Sequence, residues 1–272
     1  MISPLRCNNL SFKAHINTEY IRTKYSDYLC HTTEFFRYNN SRYDNTESFL
    51  IKELEKMQKD KPLNIVSIGC SYGEEAYSYA MGLKHLNPRP NIIGIDPSEN
   101  AIKGAREGIY TLNDREQLYL IKKNTWYDDG IRNAVRPIFN DNFECINKDS
   151  KTYQLKKGHL GNCEFYRGEI QELSKFFKAN SQDCLLCRYV LYHCRGQEMT
   201  NPKEYRRIFT QMFDVLKPGG LLCLNKDEYE FYNENLINEG FIQPYKTKPW
   251  IYQKPNSLTK ALISHFRQKL FK

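Results

Sequence analysis

With 272 residues, the chain can bury one sizeable core, or one core and a small helical cap. A 40% hydrophobic and 14% aromatic content argues against a disordered polypeptide, and no apolar run approaches the ~20 residues of a membrane helix. The net charge of +8 gathers after Glu239, where no acid follows and Lys246, Lys248, Lys254, Lys260, Arg267, Lys269 and Lys272 stand, so the basicity belongs to the C-terminus.

Residues 1–46 are polar and aromatic without sustained periodicity and are expected to form an N-terminal arm or cap. Tyr20–Tyr28 reads as a short helix there, and Asn39–Asn45 as a turn-rich connection. Arg6, Asn8 and Asn9 interrupt the first segment, so no cleaved leader is expected. Glu47–Lys59 carries Phe49, Leu50, Leu54 and Met57 on one helical face. From Leu63 the pattern changes to strand Asn64–Ile68, helix Glu74–Leu86, strand Asn91–Ile95 and helix Glu99–Glu107, with Pro88 and Pro90 in the turn before the second strand. That alternation predicts a parallel sheet with right-handed crossovers.

Residues 110–161 break the rhythm and are expected to form an inserted subdomain or lid, with a hairpin around Phe143–Leu155. Strands return at Cys163–Tyr166, Cys184–Val190 and Leu221–Asn225, with helix Pro202–Leu216 and the turn Lys217-Pro218-Gly219-Gly220 before the last of them. Phe241–Pro244 and Trp250–Lys254 read as short final strands, and residues 257–272 as a basic amphipathic helix. The nine cysteines are odd in number and sit in apolar stretches, as reduced core thiols do. Cys184 and Cys187 are three apart on an expected strand and so face opposite sides, which excludes one shared metal ion. No metal, a reducing compartment and a cytoplasmic location are therefore expected.

The segment Val66–Ala80 places a glycine-rich turn between a buried strand and a helix, where backbone can approach a ligand closely. Gly69 and Gly73 are four apart, so the dinucleotide fingerprint is absent, and no Gly-Lys-Ser/Thr follows to cradle a phosphate. Glu74 and Glu75 would repel a pyrophosphate but suit the ammonium and sulfonium of S-adenosylmethionine (AdoMet). Asp96 ends the second strand, where an acid can accept both ribose hydroxyls, a role the glycine loop upstream favours; it can also start the helix near Ser98 through Asp-Pro-Ser turn chemistry.

Thr33-Glu34-Phe35-Phe36-Arg37, the run GCSYGEEAYSYA from Gly69, Asp96 with Ala105–Tyr110, Cys187-Arg188-Tyr189-Val190, and Leu216–Leu221 occur in order. Together they resemble the CheR family of chemotaxis-type protein-glutamate O-methyltransferases, from roughly Thr32 to Gln253. The resemblance implies a Rossmann-like class I AdoMet-dependent α/β sheet with helices on both faces, spanning residues 47–256, plus a short N-terminal helical arm. It implies that Thr33, Arg37, Glu75 and Asp96 contact AdoMet, with Gly69, Ser71 and Gly73 forming the loop beneath it. It also implies that Glu169-Ile170 and Cys187-Arg188 flank the adenosine. His193 stands in the register of the family's active-site tyrosine, with Tyr192 one position earlier.

Methyl transfer to a carboxylate needs orientation and no general base, because a glutamate is already ionised at neutral pH with a pKa of about 4.3. In that reading Arg37 and Arg188 position charges, and Tyr192 or His193 shapes the acceptor slot. A hydroxyl or amine acceptor, on a small molecule or another side chain, would instead use His193 as base. A third reading is a non-catalytic AdoMet-binding module. The expected partner is a protein with an accessible carboxylate, a small-molecule acceptor being the alternative, and a monomer is expected. No nucleic-acid partner is expected, since no basic-aromatic platform accompanies the charge. The tail is expected to pack on its own domain or to touch an anionic membrane or an acidic partner.

Overall fold

The structure is a computed structural model that describes residues 35–37, 46–121, 130–160, 162–191 and 202–256. These fall into two compact units, one within Thr23–Gly168 and the other within Glu169–Lys272. The elements expected at Tyr20–Tyr28, Asn39–Asn45 and 257–272 lie outside the described residues.

Thr23–Gly168 is built on three parallel strands, β1 (Asn64–Ile68), β2 (Asn91–Asp96) and β6 (Cys163–Arg167), with β2 in the middle. β1 runs in register from Asn64 opposite Asn91 to Ile68 opposite Ile95. The central residues of β1 and β2 are buried without alternation, as in strands covered on both faces. Helices α1 (Thr46–Met57), α2 (Glu74–Gly82) and α3 (Glu99–Glu107) accompany them. α3 starts where Ser98 accepts the N–H of Ala101 and stops at Gly108 in the left-handed region, which matches the expected span. α2 ends at Gly82, four residues before the expected Leu86.

The expected hairpin exists as β4 (Phe143–Asn147) and β5 (Thr152–Leu155), and β3 (Ile109–Thr111) pairs with β5 to complete an antiparallel three-stranded sheet. Helix α4 (Gly130–Asn142) leads into it. The core beside this sheet is aromatic. Phe35 is fully buried, its ring edge-on to Tyr110 at 4.8 Å, Phe143 at 5.2 Å and Phe139 at 5.3 Å. The N–H of Phe36 donates to Ser78 Oγ on α2 at 2.8 Å. The short turn Phe35–Arg37 is therefore anchored in the core by its first aromatic residue and to α2 by its backbone.

Glu169–Lys272 contains β7 (Gln182–Leu186) parallel to β8 (Leu216–Cys223), with β9 (Ile251–Gln253) antiparallel on the other edge of β8. Helices α5 (Pro202–Val215) and α6 (Lys226–Glu239) complete it. Three expectations are corrected. β7 stops at Leu186, so Cys187–Val190 is irregular and not strand. Lys217–Gly220 does not precede the strand but bulges within β8: the pairing jumps from Gln182 opposite Leu216 to Cys184 opposite Leu221, with Gly219 at φ 82°. Phe241–Pro244 contributes only an isolated bridge, Ile242 opposite Gln253.

α6 has no counterpart in the hydrophobic pattern. Its buried face is thin, carried by Glu228, Tyr232 and Leu236, and its ends are set by Asn225, which accepts the N–H of Glu228, and by left-handed Gly240. Among the described basic residues after Glu239, Lys248 and Lys254 are buried as well. Lys248 lies over the Trp250 ring at 5.0 Å. Lys254 Nζ donates to Phe213 O at 2.7 Å, Leu216 O at 2.8 Å and Asn180 Oδ1 at 2.8 Å, closing the C-terminus of α5. Among the described residues no helix is long and apolar enough to cross a membrane.

Candidate functional site

The loop from β1 to α2 is shaped by three residues with positive φ: Gly69 at 62°, Ser71 at 50° and Gly73 at 93°. Gly73 is the position where glycine is required. A Cβ there would stand 2.9 Å from the Phe165 ring and 3.0 Å from Ala105 Cβ, besides the strained torsion. Ser71 is not a glycine, and its left-handed backbone is held from outside: its N–H donates to Asp96 Oδ2 at 2.9 Å. Cys70 N donates to Ile95 O at 3.0 Å, so the loop is tied twice to the end of β2. A non-glycine residue in this region costs about 1 kcal/mol or more, and such strain collects where ligands bind.

Asp96 has the helix-starting role that one of its two sequence readings gives it. Its Oδ1 accepts the N–H of Ser98 at 2.9 Å, which turns the chain into α3, while Oδ2 holds Ser71. Each oxygen retains a second lone pair, the pair of acceptors that two vicinal hydroxyls need. Burial pushes its carboxyl above the ordinary carboxylate range, and the backbone N–H groups of Ser98 and Ser71 pull it partly back.

At the first turn of α2, Glu74 and Glu75 are both buried, at 5% and 3% exposure. Ser67 Oγ donates to Glu75 Oε1 at 2.8 Å, so this carboxylate is aimed by the strand beneath it. Two buried acids beside a loop with no lysine suit a positively charged ligand without phosphates. In this unit Gly69, Ser71, Gly73, Glu75 and Asp96 are thus gathered around one loop at the carboxyl ends of β1 and β2.

In the unit within Glu169–Lys272, Glu169 precedes a short turn, Ile170–Glu172, and Ile170 is buried. Cys187 and Arg188 follow β7. Cys187 is fully buried and its N–H donates to Cys223 O at 2.9 Å; Arg188 is 6% exposed, unusually low for a guanidinium. The next residue, Tyr189, has φ 62° and is 40% exposed. Its N–H donates to Oε2 of Glu228 at 3.0 Å, a carboxylate that is fully buried in the first turn of α6. Glu228 was not singled out from sequence. The signal available was Asn225 three positions ahead of it, the spacing of a helix-capping pair.

Thr33, Tyr192 and His193 lie outside the described residues, as does the side chain of Arg37. Among the described residues no group of three or more His, Cys, Asp and Glu is placed to hold a metal ion.

Comparison with known proteins matches residues 31–238 to the family described as "CheR methyltransferase, SAM binding domain". A "Chemotaxis protein methyltransferase" from Campylobacter jejuni is 23% identical over 172 residues, 60% of this chain and 58% of that protein. A "Probable biofilm formation methyltransferase WspC" from Pseudomonas putida is 34% identical over 84 residues, 30% of this chain and 20% of that protein. The chain thus spans about a fifth to three fifths of the curated relatives it matches. Among solved structures, a SAM-dependent methyltransferase from Methanosarcina mazei is 18% identical, covering 78% of this chain and 80% of that one, with a TM-score of 0.34. The family match spans well over half of the sequence: the chain belongs to the CheR methyltransferase family, with that family's AdoMet-binding, Rossmann-like class I α/β fold.

Proposed function

We propose that the chain transfers a methyl group from AdoMet to a carboxylate of a protein substrate. AdoMet supplies an electrophilic methyl on a sulfonium; the residues of the chain bind and orient. In this reading Asp96 accepts the ribose hydroxyls, and Glu75 faces the cationic amino-acid end of the cofactor. Gly69, Ser71 and Gly73 bring backbone close to it. Glu169-Ile170 and Cys187-Arg188 flank the adenosine, and Thr33 and Arg37 close over the cofactor. Tyr192 and His193 shape the acceptor slot. The observation that carries the proposal is the latch between Ser71 N and Asp96 Oδ2, which fuses the glycine loop and the acid into one preformed constellation.

An ionised carboxylate attacks in line as its own nucleophile. The chain has to supply orientation, worth roughly 7–11 kcal/mol when the geometry is right. The test is incubation with methyl-labelled AdoMet and carboxylate-rich protein acceptors, followed by mild base. Label released by base is an ester and supports the proposal. Base-stable label moves the acceptor to another group. Binding of S-adenosylhomocysteine (AdoHcy) with no label transferred to any acceptor would reduce the chain to a binding module.

A further inference from the structure

At the amino ends of β2 and β6 the chain gathers positive charge that no acid answers. Lys84 stands two residues past the end of α2, Arg89 and Pro90 lead into β2, and His159, Leu160 and Asn162 lead into β6. Together they line a small cavity, and no aspartate or glutamate belongs to its wall. Lys84 Nζ donates to Asn142 Oδ1 at 3.0 Å and Arg89 Nη1 to the His159 carbonyl at 3.4 Å, both neutral oxygens. Among the described residues neither cation meets a carboxylate, and His159 Nδ1 is buried without a hydrogen-bond partner. A buried polar nitrogen left unpaired is costly, and an incoming oxygen removes that cost. Compensation of the α2 dipole accounts for Lys84 alone. It does not account for Arg89 or for the orphaned imidazole beside it.

We infer that this cavity is a binding site for a terminal phosphate group, carried by free phosphate or by a small phosphate monoester. Arg89 and Lys84 supply charge-assisted donors, and the His159 imidazole supplies a third through its Nδ1–H. The cavity volume of about 10 Å³ admits a single oxygen-sized atom, so the group enters by one oxygen and keeps the others at the mouth, where Arg89 is exposed. A phosphate monoester brings close to two negative charges and three strong acceptor oxygens, whereas a carboxylate brings one charge and two oxygens. Two permanent cations and an imidazole match the first better. The length of β2, roughly 17 Å, separates this end of the strand from Asp96 at the other, so the site is distinct from the glycine loop. The inference does not depend on the nature of the methyl acceptor.

The test is calorimetric titration of the whole chain with inorganic phosphate, glycerol 3-phosphate and acetate, each at an ionic strength matched with chloride. Phosphate or the monoester should bind saturably at one site and raise Tm, and the tighter of the two identifies the source. Arg89→Gln and Lys84→Gln should each weaken that binding about three- to tenfold, and the double substitution by more than about tenfold. His159→Phe, which keeps a ring and removes both nitrogens, should weaken it about threefold. Arg89→Glu, a reversal at an exposed position, should abolish it. AdoHcy affinity should stay within about twofold in saturating phosphate, because the two ligands sit at opposite ends of β2. Absence of saturable phosphate binding to the wild type would overturn the assignment, as would acetate binding as tight as phosphate. Phosphate binding that survives the double substitution, or that competes with AdoHcy, would place the anion elsewhere and overturn it too. Each of these failures leaves the methyltransferase reading standing.

Discussion

Around Asp96, at the carboxyl ends of β1 and β2, the chain is held by backbone torsion, whereas around β8 it is held by buried charge. In the first region Gly69, Ser71 and Gly73 take positive φ, and the one strained non-glycine among them is fixed by a single acceptor, Asp96. In the second, Glu228 and Lys254 are buried and bind mainly to backbone: Glu228 to the Tyr189 N–H, Lys254 to the carbonyls that end α5. Lys217 adds an ion pair to Asp183 at 2.6 Å beside the bulge. A glycine loop brings main chain close to a ligand but leaves few side chains to vary. Buried charges can hold loops of almost any sequence, at the expense of desolvation. The first arrangement fits a loop that approaches a cofactor; in the second, Glu228 stands past the carboxyl end of β7, whereas Lys254 and the Lys217–Asp183 pair lie at the amino ends of β7 and β8 and hold the fold.

The largest effect is expected where that charge is removed. Lys254→Met keeps the apolar stem but strands the Phe213 and Leu216 carbonyls at the negative end of the α5 dipole. Hydrogen bonds to a charged group contribute about 1.5–3 kcal/mol each, and the saved desolvation of the ammonium offsets part of this. A net loss of about 3 kcal/mol is expected in chemical denaturation, with AdoHcy affinity unchanged under native conditions. A loss under about 0.5 kcal/mol would show that charge does not hold this region, and the contrast would collapse.

Gly73→Ala is the matching change on the other side. The added methyl meets Phe165 and Ala105 at 3.0 Å or less, and the torsion of 93° disfavours any side chain. Overpacking and strain together come to about 2–4 kcal/mol. Unlike Lys254→Met, this variant should weaken AdoHcy by more than about tenfold, because the loop relieves its clash by moving. Calorimetric titration on both variants separates the regions: affinity should follow Gly73 and stability alone should follow Lys254.

The contrast also explains what could be read from the sequence. β1, β2 and α3 were legible nearly to the residue, because strands covered on both faces read as continuous apolar runs and Ser98 and Gly108 punctuate the helix. The loop at Gly69–Glu75 and the helix-starting role of Asp96 were legible for the same reason: torsion and turn chemistry are written in glycines and Asp-Pro-Ser. Glu228 and Lys254 were not. A charged residue in a helix turn or a basic C-terminal stretch looks the same whether it is solvated or buried under another element. Only the tertiary partners, the Tyr189 N–H and the end of α5, distinguish the two. Phe35 was noticed as part of a motif, but its burial between Tyr110, Phe139 and Phe143 depends on a hairpin more than a hundred residues further along the chain.

The finest test is protonation of Asp96, where stability and binding should respond with opposite signs. Burial raises its pKa in the folded chain above the unfolded value of about 3.9. The native state therefore binds this proton more tightly than the unfolded chain does. From that site alone, stability is lowered as pH rises from about 3.9 through the raised pKa, and the penalty is fully present above it. Cofactor binding runs the other way, because only the carboxylate can accept both ribose hydroxyls while it holds Ser71 and Ser98. AdoHcy affinity should therefore fall as pH drops through the folded pKa, while the contribution of Asp96 to stability improves. Asp96→Asn should bind about 10- to 100-fold more weakly at pH 7.5, since hydrogen bonds to a charged acceptor contribute about 1.5–3 kcal/mol, and its affinity should lose the acidic dependence. Calorimetric titration of AdoHcy with both proteins from pH 8 to about 4.5 reads the difference directly. An acidic fall in affinity that persists in Asp96→Asn would assign the titrating group elsewhere and leave the Ser71–Asp96 latch a purely structural tie.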